Sequence, residues 1–507
     1  MTQPSEDSTV DERSRSAAGR LEAPDVLGLV VIGCPSEPWR IGEIAIVPPG
    51  PRSRVFGRGQ ALAHDACPRV TLARQRPNLV EIAAPIAIPS LSRRQVLLRS
   101  DGHAIHVERV GRAPMYQEEL ELERARLTPG QTLQLGRQLL FLCVRRPAWL
   151  AATSNARLNP FGEPDAHGIV GESERIWNVR RWIDFVAEQT GHVLLLGPSG
   201  TGKELVARAV HSASARASRP FVSRNAAAIP ETLFASEMFG TAKNYPNAGM
   251  PERVGLLGQI DGGVLFLDEF GELGPALQAQ LLRVLDDGEY QRLGEAGNRH
   301  ADLRFIAASN RAEAALKHDV AARLTFRIEL PGLDVRREDI PLIARRMLLD
   351  LAAAQPALAG RFVTRTPYGP EPRVSLELAR AWMVHEFTTH VRELERLLWD
   401  AIRQSTRDIL DAPRELRAPA PVARSEAPSR AAPSSPDGWS PPLSTDGLDP
   451  DALPASEIQA CLDHHNGVLE KSWRALGLKS RYVLARLIEK HGLEVRRRPG
   501  TSLRRES

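Results

Sequence analysis

The stretch GPSGTGKE, residues 197–204, has the residue types and spacing to bind phosphate. It follows the apolar run HVLLLG and precedes ELVARAVH, which has helical spacing. Glycines at these positions let backbone N–H groups curve around phosphates, and the N-terminus of the following helix adds a favourable dipole. The pattern predicts a phosphate-binding loop rather than a chance glycine-rich turn. Its residues are Gly197, Pro198, Ser199, Gly200, Thr201, Gly202, Lys203 and Glu204.

Two positions within this loop carry charge. Lys203 is the first of only six lysines in the chain, and as a point charge it suits the β- and γ-phosphates. Glu204 stands where a Ser or Thr hydroxyl usually binds Mg²⁺. The loop therefore indicates nucleotide chemistry with one departure from the usual pattern.

Carboxylates and amides at predicted strand ends could complete a nucleotide site. The run GGVLFLDE ends in Asp268 and Glu269. The first could hold Mg²⁺, and the second could polarise a water for attack on the γ-phosphate. Asn310 ends the strand-like run LRFIAASN, where it would sense the γ-phosphate, and Asn225 ends PFVSRN. A strand-end asparagine taken alone is more often a turn former or a cap. The predicted cofactors are ATP and Mg²⁺.

The elements around these residues follow from hydrophobic periodicity. Strand-like and helical patterns alternate over 168–331, which predicts a parallel α/β sheet, and 332–405 has helical patterns. Short apolar runs with turn residues over 26–148 predict an all-β sandwich or barrel. The remaining segments are predicted as a disordered tail (1–25), a linker (149–167), a Pro/Ala/Ser-rich linker (406–452), a helical piece (453–495) and a basic tail (496–507).

Composition limits the function classes. Of 507 residues, 42% are hydrophobic and 25% are charged, as in globular domains, and a net charge of +4 does not by itself indicate nucleic acid. The four cysteines have no spacing that suits zinc or a disulfide framework. The polar N-terminus indicates no signal peptide, and no apolar run approaches the roughly 20 residues that span a bilayer. These features predict a cytoplasmic protein without membrane contact.

The motifs of 168–405 resemble a known family. The segments FVSRNAAAIPETLFASEMFG, GGVLFLDEFGEL, RFIAASNR and HVRELERLL resemble, in this order, the AAA+ domain of bacterial sigma-54-dependent transcriptional activators. The resemblance implies an ATPase ring, usually hexameric, that remodels the sigma-54 RNA polymerase–promoter complex. It implies that Asn225 restrains Glu269 and that Arg392 senses nucleotide from a helical lid. Glutamate at the position of Glu204 is common in that family.

The resemblance also implies arginines that act on the neighbouring subunit's nucleotide. In LKHDVAARLTFRI, Arg323 matches the second of them, and the first is replaced by Lys317. Lysine keeps the charge but lacks the planar fork of arginine. Arg323 is predicted to be catalytic in trans, with a surface ion pair as the alternative.

The stretch FGTAKNYPNAGMPERVG has the position of the family's sigma-54 contact loop. There the family carries Gly-Ala-Phe-Thr-Gly-Ala, which falls on Asn244, Tyr245, Pro246, Asn247, Ala248 and Gly249. Gly255 stays in register, so the loop length is retained. The aromatic residue stands one place early, the threonine is replaced by asparagine, and proline fixes a backbone angle. A projecting loop is expected, with an altered tip.

The amino-terminal region resembles a forkhead-associated (FHA) domain, an 11-strand sandwich that binds phosphothreonine peptides. The resemblance lies in VFGRGQ, SLSRRQVLLRS and RVGRAPMYQEEL, and it places Arg58, Ser92 and Arg93 at the phosphate. Charged and hydroxyl donors on neighbouring loops suit phosphate. Gln95 replaces the family's usual histidine, and no asparagine lies near Gln117. A purely structural or protein-docking sandwich is the alternative.

The C-terminal helical piece resembles a Fis-type helix-turn-helix, the DNA-binding domain that ends most sigma-54 activators. Between 471 and 505 there are eleven Lys or Arg residues against two acids, a footprint typical of nucleic-acid binding. A generic basic helical hairpin is the alternative. The residues expected at the recognition helix are Lys479, Ser480, Arg481, Tyr482 and Arg486.

Together these patterns predict a multidomain chain with an FHA-like sandwich, an AAA+ P-loop ATPase with a helical lid, and an all-α helix-turn-helix. The first hypothesis is a transcription activator that is gated by phosphothreonine, binds upstream enhancer DNA, and remodels sigma-54 RNA polymerase holoenzyme as a hexameric homo-oligomer. The second is a DNA-bound regulator or repressor that binds nucleotide but does not act on sigma-54, because its partner loop is altered.

Overall fold

A computed structural model describes residues 23–60, 67–153, 159–311, 313, 316–416, 455–464, 472, 476 and 481–491. The chain divides into two compact units, Met1–Ala420 and Pro421–Ser507. Among the described helices, none combines the length and the apolar run that crossing a bilayer requires. The fold of the first unit determines where the predicted nucleotide residues lie.

The amino-terminal region forms two antiparallel sheets, which confirms the all-β prediction. In the described residues the larger sheet has the order β5-β4-β2-β1-β12-β11-β8-β9, and the smaller one has the order β10-β7-β6-β3. These are twelve strands, one more than the family pattern implies. Their bounds are Asp25–Gly33 (β1), Ile44–Val47 (β2), Arg54–Phe56 (β3), Leu72–Arg76 (β4), Leu79–Ile82 (β5), Val96–Ser100 (β6), Ile105–Arg109 (β7), Met115–Gln117 (β8), Leu120–Glu121 (β9), Arg124–Leu127 (β10), Thr132–Leu135 (β11) and Leu139–Pro147 (β12).

Strands β1 and β12 lie side by side in the larger sheet and are buried along almost their whole length. Residues of one parity, such as Leu29 and Phe141, belong to the interior of the sandwich. Residues of the other parity, such as Val30 and Leu142, belong to a second core shared with helices that follow later in the chain. The continuous apolar runs of these strands thus reflect burial on both faces.

The next segment is a parallel five-stranded sheet of order β14-β17-β20-β13-β21, which confirms the predicted α/β arrangement. One face of the sheet packs in a cluster with Leu265 and Phe305, the other in a cluster with Phe266 and Ile306. Two small hairpins, β15–β16 and β18–β19, extend from it. The strands are Val193–Leu196 (β13), Phe221–Asn225 (β14), Gly240–Thr241 (β15), Arg253–Val254 (β16), Val264–Asp268 (β17), Glu289–Tyr290 (β18), Arg299–His300 (β19), Arg304–Ser309 (β20) and Phe326–Glu329 (β21).

The helices of this segment cover the sheet. The helix over 174–187 begins after Ser173, whose hydroxyl accepts a hydrogen bond from the Ile176 amide, a typical N-cap. The helices are Glu174–Ala187 (α1), Lys203–Ser212 (α2), Glu231–Phe239 (α3), Leu256–Gln259 (α4), Pro275–Gln280 (α5), Leu282–Asp287 (α6) and His318–Arg323 (α7).

A helical lid follows the sheet. Trp382 is 1% exposed at its centre. The lid continues past the predicted boundary at 405, because Leu410 is fully buried and its N–H donates to the Arg373 carbonyl at 2.8 Å. Its elements are Ile340–Ala354 (α8), Pro356–Ala359 (α9), Val363–Thr366 (β22), Gly369–Pro372 (β23), Leu376–Val384 (α10) and His390–Gln404 (α11).

The second unit contains helices Ala455–His464 (α12) and Arg481–His491 (α13) in its described residues. Ile458 and Leu462 of α12, and Leu484 and Leu487 of α13, are buried. This agrees with the helical spacing of apolar residues in the sequence.

Candidate functional site

The phosphate-binding loop connects β13 to α2, in the order strand, loop, helix that the sequence indicates. Gly197, Gly200 and Gly202 have φ values of 156°, 77° and 96°, in the region that favours glycine. The Thr201 hydroxyl donates to the Pro198 carbonyl at 2.9 Å and so braces the turn. The spaced glycines thus allow a backbone conformation in which other residues would be strained.

Lys203 lies at the start of α2 with only 8% of its surface exposed. Its ammonium donates to the carbonyls of Gly197 and Pro198 at 2.8 and 3.0 Å. Burial lowers the pKa of Lys203, while the charges of Asp268 and Glu269 oppose that shift. The cation therefore stands inside the loop, held by neutral acceptors that a phosphate could replace.

The acidic pair lies at the carboxyl end of β17. One Asp268 carboxylate oxygen accepts a hydrogen bond from the Glu269 amide at 2.9 Å. Glu269 has φ 54°, which is uncommon outside glycine, Asn and Asp, and it begins the short turn at 270–272. Strained backbone conformations of this kind are found mainly at functional sites, and they persist only where the surrounding structure maintains them.

A cavity of about 250 Å³ joins the loop, the acidic pair and the lid. It brings together many of the predicted nucleotide residues. Its lining also includes Val391 and Glu395, which the sequence reasoning missed. Glu395 follows Arg392 by one helical turn on α11, so spacing could have indicated it. The lining residues are Ser199, Gly200, Gly202, Lys203, Glu204, Asp268, Glu269, Asn310, Val391, Arg392 and Glu395.

The lid touches the phosphate-binding loop directly. One terminal nitrogen of Arg392 donates to the Ser199 hydroxyl at 3.2 Å, and the Val391 amide donates to the Gly200 carbonyl at 3.1 Å. A Cβ atom on Gly200 would lie 2.2 Å from the Thr389 carbonyl oxygen. Gly200 is thus required by the close approach of the lid as well as by its positive φ.

Asn225 and Arg323 do not line the cavity. The Asn225 carboxamide oxygen accepts from the Ala227 amide at 2.9 Å, and in the strand register the residue lies opposite Asp268. Arg323 forms an ion pair with Asp286 and donates to the Asp319 carbonyl at 2.7 Å. Within one chain, Asn225 is therefore a cap beside the acidic strand, and Arg323 makes the surface ion pair named as its alternative.

The stretch between Gly240 and Gly255 forms a hairpin. Strands β15 and β16 pair at its base, where a Cβ atom on Gly255 would lie 2.3 Å from the Gly240 nitrogen. Residues 243–250, which include the six predicted contact residues, are largely exposed. The Asn244 side chain accepts from the Gly249 amide at 3.0 Å and closes the tip. The retained length therefore builds an ordered, exposed loop.

The aromatic residue of this loop lies against the second hairpin. Tyr245 is 38% exposed, and a Cβ atom on Gly294 would be 2.4 Å from its ring. The Ala242 amide donates to the Leu293 carbonyl at 2.9 Å, and Arg292 forms an ion pair with Glu252. The two hairpins thus pack as one projection, and Tyr245 shows one side of its ring to solvent.

In the sandwich, Arg58, Ser92 and Arg93 lie on adjacent loops. The Arg58 amide donates to the Ser92 carbonyl at 3.0 Å, and the Ser92 hydroxyl accepts from the Arg112 amide at 3.0 Å. Arg69, which the sequence reasoning missed, donates to the carbonyls of Gly57 and Arg93 at 3.1 and 2.9 Å. The three predicted residues are therefore neighbours.

Gln95, the departure from the family pattern, is fully buried beside these loops. Its side-chain oxygen accepts from the Ser92 amide at 3.1 Å, and its nitrogen donates to the Ala113 carbonyl at 2.7 Å. An amide offers an acceptor and a donor at opposite atoms, as a neutral imidazole does. Gln95 thus joins the Ser92 loop to the loop before β8.

Three of the five predicted DNA residues, Arg481, Tyr482 and Arg486, lie on α13. Arg481 and Tyr482 are in the first turn of α13, and the Arg486 side chain is exposed. Lys479 and Ser480 lie outside the described residues.

Comparison with known proteins agrees with this geometry over the central part of the chain. Residues 169–333 match the family described as the Sigma-54 interaction domain, so the chain carries an AAA+ ATPase domain of that type. It is 47% identical over 190 residues to a Nif-specific regulatory protein of Bradyrhizobium diazoefficiens, covering 36% of this chain and 33% of the relative. It is 40% identical over 237 residues to the Nif-specific regulatory protein of Azotobacter vinelandii, covering 45% and 43%.

The chain therefore spans less than half the length of these two relatives. Among solved structures, NtrX from Brucella abortus in complex with ADP is 25% identical and covers 64% of this chain and 70% of that one. The TM-score of this match is 0.43.

Proposed function

We propose that this chain is an ATP-hydrolysing, DNA-binding transcription regulator that remodels sigma-54 RNA polymerase. The observation that carries the proposal is the cavity in which the phosphate-binding loop, the acidic pair and Asn310 of the Sigma-54 interaction domain meet the lid arginine. The hairpin at 240–255 extends from the same domain. The relatives named above are called regulatory proteins, which supports a regulatory role.

The cavity supports in-line hydrolysis of ATP. Backbone N–H groups of the loop and Lys203 would bind the β- and γ-phosphates, and Arg392 would contact nucleotide from the lid. Glu269 would orient and deprotonate the attacking water, and Asn310 would bind the γ-phosphate.

The same cavity suits a divalent ion. Asp268 lines it, and Mg²⁺ in such sites is commonly held by one or two carboxylates together with phosphate oxygens. The ion would neutralise charge that develops on the phosphates. Glu204, which also lines the cavity, is a second carboxylate within the same space.

A ring of subunits would place Arg323 at a neighbour's nucleotide. The ion pair with Asp286 leaves Arg323 34% exposed at its side chain, so a partner's phosphates could replace the aspartate. Charge stabilisation in trans is the role that the family resemblance gives to this position. A hexamer is the stoichiometry that we propose.

The sandwich would gate the ATPase by binding a phosphothreonine protein. Arg58, Ser92 and Arg93 lie on adjacent loops, and the Ser92 hydroxyl, whose oxygen accepts from the Arg112 amide, could donate its hydrogen to a phosphate oxygen. An Arg58→Ala variant should lose its preference for phosphorylated over unphosphorylated threonine peptides, while Arg52→Ala, at an exposed position, should keep it. Equal affinities of the wild type for both peptides would favour a structural or docking sandwich.

The last helices would bind upstream enhancer DNA as a Fis-type helix-turn-helix. The two described helices bury apolar residues, and α13 carries basic residues. Arg481→Ala should weaken DNA binding, as measured by titration at fixed salt.

Formation of open promoter complexes tests the main proposal. ATP-dependent opening by sigma-54 polymerase should occur with the wild type and fall at least about tenfold with Tyr245→Ala, a change of about 1.4 kcal/mol. Tyr368→Ala is the matched control, because Tyr368 is a 65% exposed tyrosine in the lid. ATP turnover without any open complexes would instead support the second hypothesis, a DNA-bound regulator that does not act on sigma-54.

A further inference from the structure

The outer face of the larger sandwich sheet is covered by the lid. Six aliphatic side chains on β1, β2 and β12 are buried in the same core as the lid helices: Val30, Ile32, Ile44, Leu140, Leu142 and Val144. On an independent sandwich this face would meet solvent, and polar residues at these positions would alternate with the inward-facing apolar ones. The lid contributes Leu376, Ala379 and Trp382 to the shared core.

The contact between the two parts is close at its centre. A Cβ atom on Gly33 would lie 2.7 Å from a methyl carbon of Leu376 and 3.4 Å from the Cβ atom of Ala379. Only glycine lets β1 approach α10 this closely without displacing it. Such packing resembles the interior of one domain more than a contact between two movable ones.

Buried charges border the shared core. Arg76 of the sandwich forms an ion pair with Glu172, and their side chains are 6% and 3% exposed. The Trp177 indole nitrogen donates to the same glutamate at 3.1 Å. Arg146 of β12 donates to the Glu172 carbonyl at 2.9 Å and pairs with Glu338 at 3.4 Å. The Arg146–Glu338 pair joins the sandwich to the lid directly, and Glu172, which both arginines contact, is tied to the lid because its amide donates to a carboxylate oxygen of Asp339 at 2.8 Å.

The predicted linker also belongs to this contact. The Arg74 and Arg76 guanidinium groups lie 5.3 and 5.4 Å from the centre of the Phe161 ring. Glu163 forms an ion pair with Arg345 of the lid helix α8 at 2.7 Å. The described part of 149–167 therefore packs against the sandwich and the lid.

We propose that the sandwich and the lid form one permanently docked body, which moves as a unit during the nucleotide cycle. A domain contact that is mainly apolar and tightly packed is the exception to independent domain motion. A ligand on the sandwich then acts on ATP hydrolysis through the position of the lid, whose Arg392 reaches the phosphate-binding loop, and not through release of the sandwich. This last step rests on the proposed function of the sandwich.

Thiol labelling of the full-length chain tests the docking without any ligand of the sandwich. Ala379→Cys places a thiol at a position that is 2% exposed, and Val384→Cys places one on the same helix at a position that is 71% exposed. With labelling read by peptide mass spectrometry, the thiol introduced at position 384 should react at least about 100-fold faster than the thiol introduced at position 379, with and without ATP. Comparable rates, or an ATP-dependent rise at position 379, would overturn permanent docking.

A disulfide across the contact tests regulation, and because the oxidised and reduced forms of one variant are compared, the displacement caused by a side chain at position 33 is common to both. In Gly33→Cys with Ala379→Cys, the Cβ separation is near the range for disulfides. After oxidation, ATP turnover and its response to a phosphothreonine peptide should stay within about twofold of the reduced protein. Loss of both on oxidation, with recovery in reductant, would show that undocking is needed. Peptide binding that is absent in both redox states contradicts phosphopeptide sensing, while the labelling result still decides docking.

Discussion

Glu269 is the residue on which hydrolysis depends most directly in the proposed mechanism. Its carboxylate lines the cavity with Lys203 and Asp268, and its φ of 54° turns the chain at the end of β17. Lys203 is a cation, and Asp268 is the carboxylate proposed to hold Mg²⁺, so neither takes the role of the base. We therefore expect the chemical step to respond to this side chain more than nucleotide binding does.

Glu269→Gln should lower kcat for ATP hydrolysis by about 10²-fold or more, because an amide of the same size cannot accept the water's proton. ATP affinity should change little, since Lys203 and the loop backbone are unaltered. Phosphate release and equilibrium nucleotide binding would measure the two quantities. Glu272→Gln is the control, because Glu272 pairs with Arg311 and does not line the cavity. Turnover near the wild-type rate in Glu269→Gln would refute the assignment.

Arg323 separates a catalytic role in trans from a structural ion pair. If it acts on a neighbour's nucleotide, Arg323→Ala should lower turnover by about 10³-fold, as loss of an arginine finger does. Asp286→Asn, which removes its partner in the same chain, should leave turnover nearly intact. Equal losses of turnover in both variants, matched by equal losses in melting temperature, would favour the ion pair.

At the scale of elements, the lid helix α11 depends on one carboxylate. Glu393 accepts hydrogen bonds from the Thr388 and Thr389 amides at 2.7 and 3.1 Å and from His385 at 2.9 Å. Burial opposes ionisation, but these bonds outweigh it and lower the pKa of Glu393 to about 2. Because Thr389 and Arg392 contact the phosphate-binding loop, this cap also positions the nucleotide lid.

Glu393→Gln should lower the melting temperature at neutral pH, since a neutral amide accepts these hydrogen bonds less strongly. A depressed folded-state pKa stabilises above the ordinary value of 4.5 and loses that effect as pH falls toward 2. The difference between wild type and variant should therefore shrink across this range. Glu395→Gln, two residues further along the helix, is the control. A difference that is constant between about pH 7 and about pH 3 would contradict the proposed cap.

The sequence predicted the secondary-structure elements better than it predicted the tertiary contacts of those elements. The strand–loop–helix order at 197–204 and the acidic strand end depend on local pattern, so they could be predicted. The coverage of β1 and β12 by the lid, the extension of the lid to Leu410, and the approach of Val391 to the phosphate-binding loop depend on contacts between residues far apart in the chain. Hydrophobic periodicity indicates that one face of a helix or strand is apolar, but it does not identify the element that covers that face.

At the scale of the whole molecule, the first unit contains the sandwich, the ATPase sheet and the lid within one compact body. Arg76 joins the sandwich to the rest of this unit. It forms an ion pair with Glu172 and donates a hydrogen bond to the carbonyl of Pro160 at 3.1 Å. Removing one partner of a buried ion pair leaves the other charge without compensation. The stability of the ATPase should thus respond to a substitution in the sandwich.

Arg76→Met should lower the free energy of unfolding by about 3–5 kcal/mol, because Glu172 remains buried and loses its cation. Arg99→Met is the control in the same sandwich, since Arg99 is an exposed residue of strand β6. Urea titration of the full chain, followed by the tryptophan signal, would measure both. A midpoint for Arg76→Met equal to that of the control would show that the pair adds nothing to stability.

The contact of the lid with Gly200 has a kinetic consequence. While the Val391 amide is bonded to the Gly200 carbonyl and Arg392 to Ser199, the lid closes one side of the cavity. Departure of spent ADP and entry of fresh ATP would both require these two bonds to break. The dwell time of ADP is then set by how often the lid opens. A signal that changes this frequency would change the rate of ATP turnover without altering the chemical step.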